Sequence, residues 1–151
     1  MSISEPVDNI LFKFFTGIFE IIKIVEDISY KDIALGRDIF IVHYIGVKEK
    51  RDEKCQIKTV MDYFAMTPST ATRHIDSLVK SGIIIRDEDK AKRSSKILRL
   101  SPLGEEIYEM FENHQIDFTK RLSDEFTDHE IITIHRLLNW IIKIKHLIFN
   151  F

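Results

Sequence analysis

The side chains able to do chemistry in this chain crowd into residues 67–100. Ala71, Ile75, Leu78 and Val79 recur there at helical spacing. They leave Ser69, Thr70, Arg73, Ser77 and Lys80 on the opposite side of the helix, with Thr72 and His74 flanking. Short hydroxyls allow a backbone to approach a groove wall, and an arginine in that setting makes paired hydrogen bonds to guanine. The free N–H groups of a first helical turn attract phosphate. Further along, Lys90, Lys92 and Arg93 occupy a charged turn between two short apolar runs. Cations on such a turn reach phosphates or a narrow minor groove. The chemistry implied is non-covalent recognition of a duplex, with phosphate contacts for affinity and base edges for selectivity.

Charge supports this. Residues 67–100 hold eight basic and four acidic residues, a net +4; the whole chain of 151 residues is −2, so the remainder carries −6. A basic patch on an acidic body favours one-sided contact with a polyanion over general stickiness. From charge alone, a solvated turn is the competing reading.

No motif for covalent chemistry accompanies the patch: no Gly-rich phosphate loop, GxSxG or catalytic carboxylate pair. Glu105-Glu106 suits the first turn of a helix, where the dipole favours acids. His43, His74, His114, His129, His135 and His146 form no i, i+4 pair, whereas a structural zinc site needs about four clustered ligands. The expectation is therefore no enzyme, no cofactor and no metal. Cys55, the single cysteine, excludes an intramolecular disulfide and fits a reducing cytoplasm. It reads as a buried structural thiol; a redox-active thiolate needs exposure and a pKa lowered by Lys54 or Lys58. No leader pattern and no membrane-length apolar run is evident.

The elements that must position these groups follow from apolar periodicity. Residues 9–29 place Ile10, Leu11, Phe14, Phe15, Ile18, Ile21, Ile22, Val25 and Ile28 at helical spacing, with Asp8 or Asn9 as cap. A second helix is expected from about Ile33 to Val47, then a charged loop over 48–54, then a short helix over 57–64 behind Gln56. Thr67 and Pro68 supply N-cap and N1 for the helix carrying Arg73, and Ser81-Gly82 ends it. Ile83–Arg86 and Lys96–Leu100 read as two strands. Ser101-Pro102 restarts a helix that runs to about Leu122, and a capping box, Thr127 to Glu130, opens the last one. That last helix is apolar around most of its circumference, from Ile131 through Trp140 to Phe149. A helix of that kind needs cover on several sides, and a second subunit is the expected cover.

The stretches TPSTATRHIDSLVKSGIIIRDE and KRSSKILRLSPLGEEIY resemble the recognition-helix region and the wing of the multiple-antibiotic-resistance regulator (MarR) family. The resemblance covers roughly residues 55–108. It implies a mainly α fold with a small β-wing, a winged helix–turn–helix with N- and C-terminal dimerisation helices. It also implies a homodimer that binds double-stranded DNA at a pseudo-palindrome and regulates transcription. Ser69, Thr70, Thr72 and Arg73 match DNA contacts of the family's recognition helix. Arg93 matches the wing-tip arginine with an offset of one, since Ser94 holds the aligned place. Lys92 replaces the aspartate that braces that arginine, leaving Asp89 or Asp87 to serve. Ala65 stands where the family's turn usually has glycine.

The expected organisation is an N-terminal dimerisation helix over 1–32, a DNA-binding lobe over 33–101 and C-terminal dimerisation helices over 102–151. The DNA-binding set is Ser69, Thr70, Thr72, Arg73, Ser77, Lys80, Lys90, Lys92 and Arg93. A crevice near Phe14, Ile18, Arg37, His43 and Tyr44 is the expected site for a small phenolic or aromatic ligand, with Arg37 as carboxylate partner. The competing expectation is a winged-helix interaction module that binds another protein without reading DNA.

Overall fold

The computed structural model describes the backbone of residues 5–148 and the side chains of 13–144 except 15. The expected apolar contributions of Ile10, Leu11, Phe15, Leu147, Ile148 and Phe149 lie outside the described side chains. The chain forms two compact units, Met1–Phe111 and Glu112–Phe151. Its fold is mainly helical with a small antiparallel wing, as the pattern predicts.

In the first unit, α1 (Glu5–Glu26) begins ahead of the periodic residues, so Asp8 and Asn9 lie within the helix and do not cap it. Proline is tolerated in a first turn, where its missing N–H has no partner to lose, and Pro6 lies there. A small hairpin follows where a helix from Ile33 is expected: β1 (Ser29–Tyr30) pairs with β2 (Ile33–Ala34). Lys31 and Asp32 connect them with φ of +45° and +66°. Two positive φ values in a two-residue loop match the twist of paired strands. The Tyr30 hydroxyl and Lys31 Nζ both donate to Glu106 Oε2, at 3.0 and 2.7 Å.

The second helix, α2 (Asp38–Lys50), starts later than expected and consumes the start of the expected loop. Ile39, Ile41, Val42 and Ile45 are buried, and within the helix only Phe40 and Lys50 are exposed, which marks a helix covered on most sides. α3 (Ile57–Phe64) starts where Gln56 N–H donates to Thr59 Oγ1 at 3.1 Å. α4 (Pro68–Lys80) starts where Thr67 Oγ1 accepts the Thr70 N–H at 3.3 Å. It stops at Ser81, and Gly82 takes φ +73° to turn the chain into β3 (Ile84–Glu88). β4 (Lys96–Leu100) returns antiparallel, with Ile84 opposite Leu100 and Glu88 opposite Lys96.

α5 (Pro102–Glu125) is capped by Ser101, whose Oγ accepts the Gly104 N–H at 3.0 Å and donates to Gly82 O at 2.5 Å. A Cβ on Gly104 would stand 2.2 Å from the Ile83 carbonyl oxygen, so glycine is what allows α5 to sit against the strand entry. Ile39, Ile45, Val60, Ile75, Ile83, Leu98 and Ile107 are fully buried in one core. Each buried aliphatic side chain contributes about 1.5–3 kcal/mol by transfer from water. That shared core is what fixes α4 and the β3–β4 hairpin relative to each other.

The second unit holds the end of α5 and α6 (Asp128–Ile148). The expected capping box is formed. Glu130 Oε2 accepts from Thr127 N and Oγ1 at 2.8 and 2.9 Å, and Thr127 Oγ1 accepts the Glu130 N–H at 3.3 Å. Among its described side chains none is buried; Ile132, Leu138, Trp140 and Ile142 are all exposed. Among the described residues, no helix is long and apolar enough to cross a membrane.

Candidate nucleic-acid interface

α3 and α4 are joined through Ala65, whose φ of +51° and ψ of +44° lie in the left-handed region. The joint thus has the backbone for which glycine is the usual residue. α4 then buries Ala71, Ile75 and Leu78 and half-buries Val79. Ser69, Thr72, Arg73, Ser77 and Lys80 are exposed along its other side. Thr70 is half-buried, and its Oγ1 accepts the Thr67 hydroxyl at 2.9 Å. Its hydroxyl is therefore partly committed to the helix cap.

His74, next to Arg73, faces a different way. Its Nδ1 lies 2.6 Å from Asp38 Oδ1 and ties α4 to the first turn of α2. Burial pushes the Asp38 carboxyl up from the usual range, against the opposing pull of His74. Asp76, the acid on the outer part of α4, is paired with Arg86 of β3.

The wing is a tight turn at the end of β3–β4. Asp89 N–H donates to Ser95 O at 3.0 Å, Lys92 N–H to Asp89 O at 3.0 Å, and Ser95 N–H to Lys92 O at 2.8 Å. Lys90, Lys92 and Arg93 all project into solvent. Neither candidate brace reaches Arg93. The Asp89 carboxylate binds the Ala91 N–H at 3.0 Å and Lys54 Nζ at 2.8 Å, while Asp87 lies 3.4 Å from Arg99. The Lys54 contact, then the Ala91 N–H, holds the Asp89 carboxyl below the ordinary range. The tip is thus held by its own backbone bonds and, from outside the wing, by Lys54.

Pairing sorts the cations of this region. Arg86, Lys96 and Arg99 bind Asp76, Glu88 and Asp87. Among the described residues Arg73, Lys80, Lys90, Lys92 and Arg93 enter no ion pair. The positive charge is therefore concentrated in two places, the outer face of α4 and the wing tip.

The five candidate ligand residues do not share one cavity. A cleft of about 850 Å³ in the first unit is lined by Ile22, Val25, Leu35, Phe40, Phe64 and Met66, with Arg37, Asp38, Thr70, Arg73 and His74 at its polar side. Arg37 is the member of the expected set found there, and it also lies 3.4 Å from Glu26. His43 and Tyr44 line a second cleft of about 460 Å³ with Lys48, Arg51 and Tyr63. His43 stacks on Tyr108 at 5.5 Å between ring centres, and Tyr44 on Tyr63 at 4.2 Å. Phe14 and Ile18 lie on α1 and line neither cleft. Cys55 is buried, and burial pushes its thiol up to about 11, so thiolate chemistry is suppressed. Among the described residues no group of three or more His, Cys, Asp or Glu is placed to hold a metal ion.

Sequence reasoning gives Lys54 and Gln56 other roles, beside Cys55 and before α3, and misses their contacts with the wing. Their partners on the wing lie 35 and 39 positions away, and no local pattern announces such pairs.

No protein-family model and no curated protein matches this chain. Solved structures do. Streptococcus pneumoniae FabT in complex with DNA aligns with a TM-score of 0.71 at 19% identity, over 93% of this chain and 98% of that one. S. aureus MepR in its DNA complex gives 0.68 at 13% identity, over 87% and 96%. A MarR protein from Peptoclostridium difficile gives 0.64 at 23% identity, over 95% and 91%. At these identities the likeness establishes the fold, a MarR-type winged helix–turn–helix with helical extensions at both ends.

Proposed function

We propose that this chain is a DNA-binding transcription regulator of the MarR type, acting as a homodimeric repressor on a pseudo-palindromic operator. The observation that carries this reading is the free charge. Arg73 and Lys80 on α4, with Lys90, Lys92 and Arg93 on the wing, enter no ion pair among the described residues. Ser69, Thr72 and Ser77 stand beside them, exposed. That is a helix for the major groove and a cationic turn for the flanking backbone. FabT and MepR, which share the fold, are seen in complex with DNA.

A second unit with no buried side chain among those described supports a homodimer, since such a helix pair lacks a core of its own. Two copies of α4 then read half-sites about 34–36 Å apart. The larger cleft supports release by a small aromatic acid. Arg73 and Thr70 line it, so an occupant touches side chains of the reading helix. Thermal shift against phenolic acids reads this out, and an absence of any shift removes the ligand without touching DNA binding.

The test is a gel shift on the DNA upstream of the protein's own coding region. Arg73→Ala is expected to weaken specific binding by about 1–3 kcal/mol while leaving the fold intact. Wild-type affinity should fall steeply with salt, in proportion to the phosphates contacted. A flat salt response, or an Arg73→Ala chain with unchanged affinity, sinks the reading.

A further inference from the structure

The segment entering α3 is fastened to the hairpin at three successive residues. Lys54 Nζ lies 2.8 Å from Asp89 Oδ1, Cys55 O accepts the Leu98 N–H at 2.7 Å, and Gln56 Nε2 donates to Ser95 Oγ at 2.6 Å. Asp89 and Ser95 are the two ends of the tip turn, joined by the Asp89 N–H to Ser95 O bond. Lys54 and Gln56 therefore hold both feet of the loop that carries Lys90, Lys92 and Arg93. This is not an ordinary surface ion pair. The Asp89 side chain is only 8% exposed, against 57% for Lys54. The same carboxylate oxygen accepts the Ala91 N–H, so the pair is tied to the backbone of the tip, whereas a fully exposed pair of free side chains contributes little.

We infer that Lys54 and Gln56 are positioning residues for DNA binding, which clamp the wing tip to the entry of α3 so that its cations and those of α4 meet a duplex as one set. The inference rests on the DNA-binding reading above. Its physical basis is entropy: a loose cationic loop must be ordered on contact, and a clamped one already is.

The closing experiment has a DNA-free arm and a DNA arm. Lys54→Met keeps the aliphatic stem and removes the charge. In the free protein, amide exchange at Lys92 and Ser95, whose N–H groups close the tip turn, should quicken about tenfold or more, while Ala71 in α4 stays protected. On operator DNA, footprinting should lose protection at the outer flanks and keep the centre. The slope of log affinity against log salt should fall by about one to three, one for each wing cation released. Lys54→Arg should restore both readouts. Lys54→Met combined with Asp89→Asn, which leaves no orphaned charge, should keep the flank defect; restored flanks there overturn the inference. So do unchanged tip exchange and footprint in Lys54→Met, or a collapse of α4 protection along with the tip. Wild-type protein with a protected tip that footprints no duplex overturns the DNA reading and this inference together. A failed clamp on a protein that footprints normally overturns the clamp only.

Discussion

Ala65 carries a left-handed backbone with an L side chain, and the cost falls on the joint between the two helices of the reading motif. In that region the Cβ crowds the following carbonyl, which costs an alanine about 1 kcal/mol relative to glycine. The side chain is exposed, so removing its methyl group forfeits little packing. Ala65→Gly should therefore raise stability by about 1 kcal/mol in urea unfolding, with the m-value unchanged. A loss of stability instead would mean that glycine's extra freedom in the unfolded chain outweighs the relieved crowding. Arg73 and His74 show how sharply one helical step divides roles. The first is exposed with no ion pair among the described residues; the second turns toward Asp38 and holds α4 against α2. A 100° rotation per residue leaves one side chain in solvent and makes the next a fastening.

At the scale of elements, legibility followed local signals. Thr67-Pro68, Ser101-Pro102 and the Thr127–Glu130 box carry their own start chemistry, and the helices begin there. β4 is legible because Lys96–Leu100 is a short apolar run, Ile97, Leu98 and Leu100, bounded by a charged turn and by Ser101-Pro102, although its burial does not strictly alternate. The β1–β2 hairpin is not, because its turn residues Lys31 and Asp32 lack the Asn-Gly type of signal and its strands are two residues long. Ile33 and Leu35 then read as helix, although Gly36, at φ +52°, breaks the run before α2 can begin. Among candidate site residues the exposed side of α4 and the wing cations were visible as charge and hydroxyl chemistry. The fastenings Lys54–Asp89 and Gln56–Ser95 were not, because they depend on tertiary proximity. For the same reason the aromatic residues expected around one ligand divide between separate places: chain order says nothing about which side of a helix a cavity opens on.

The whole molecule has an imbalance that one chain does not resolve. The first unit encloses a dense core, whereas the second exposes Ile132, Leu138, Trp140 and Ile142 along α6. Trp140 is 57% exposed and Leu138 52% in the single chain. Each is already about half covered, so burying the rest yields about half of the ~1.5–3 kcal/mol of full burial, and four such residues reach only the low end of an association cost of about 4–15 kcal/mol. Further exposed residues of α6, Ile134 and Leu137 among them, add to that gain, and the proposed homodimer is the reading in which a second copy covers them. Light scattering on the wild-type chain is therefore expected to give twice the 17.8 kDa of one protomer at micromolar concentration. Trp140→Glu with Leu138→Glu places charges on two opposite sides of α6, whose exposed apolar residues encircle it, without touching the buried core of the first unit. The variant should scatter as a single protomer, retain the far-ultraviolet helix signal of a folded first unit, and lose the tight binding that two half-sites provide. Wild-type protein that scatters at 17.8 kDa, or a double variant that stays dimeric and binds its operator normally, would place the subunit interface elsewhere and leave the apolar face of α6 without this role.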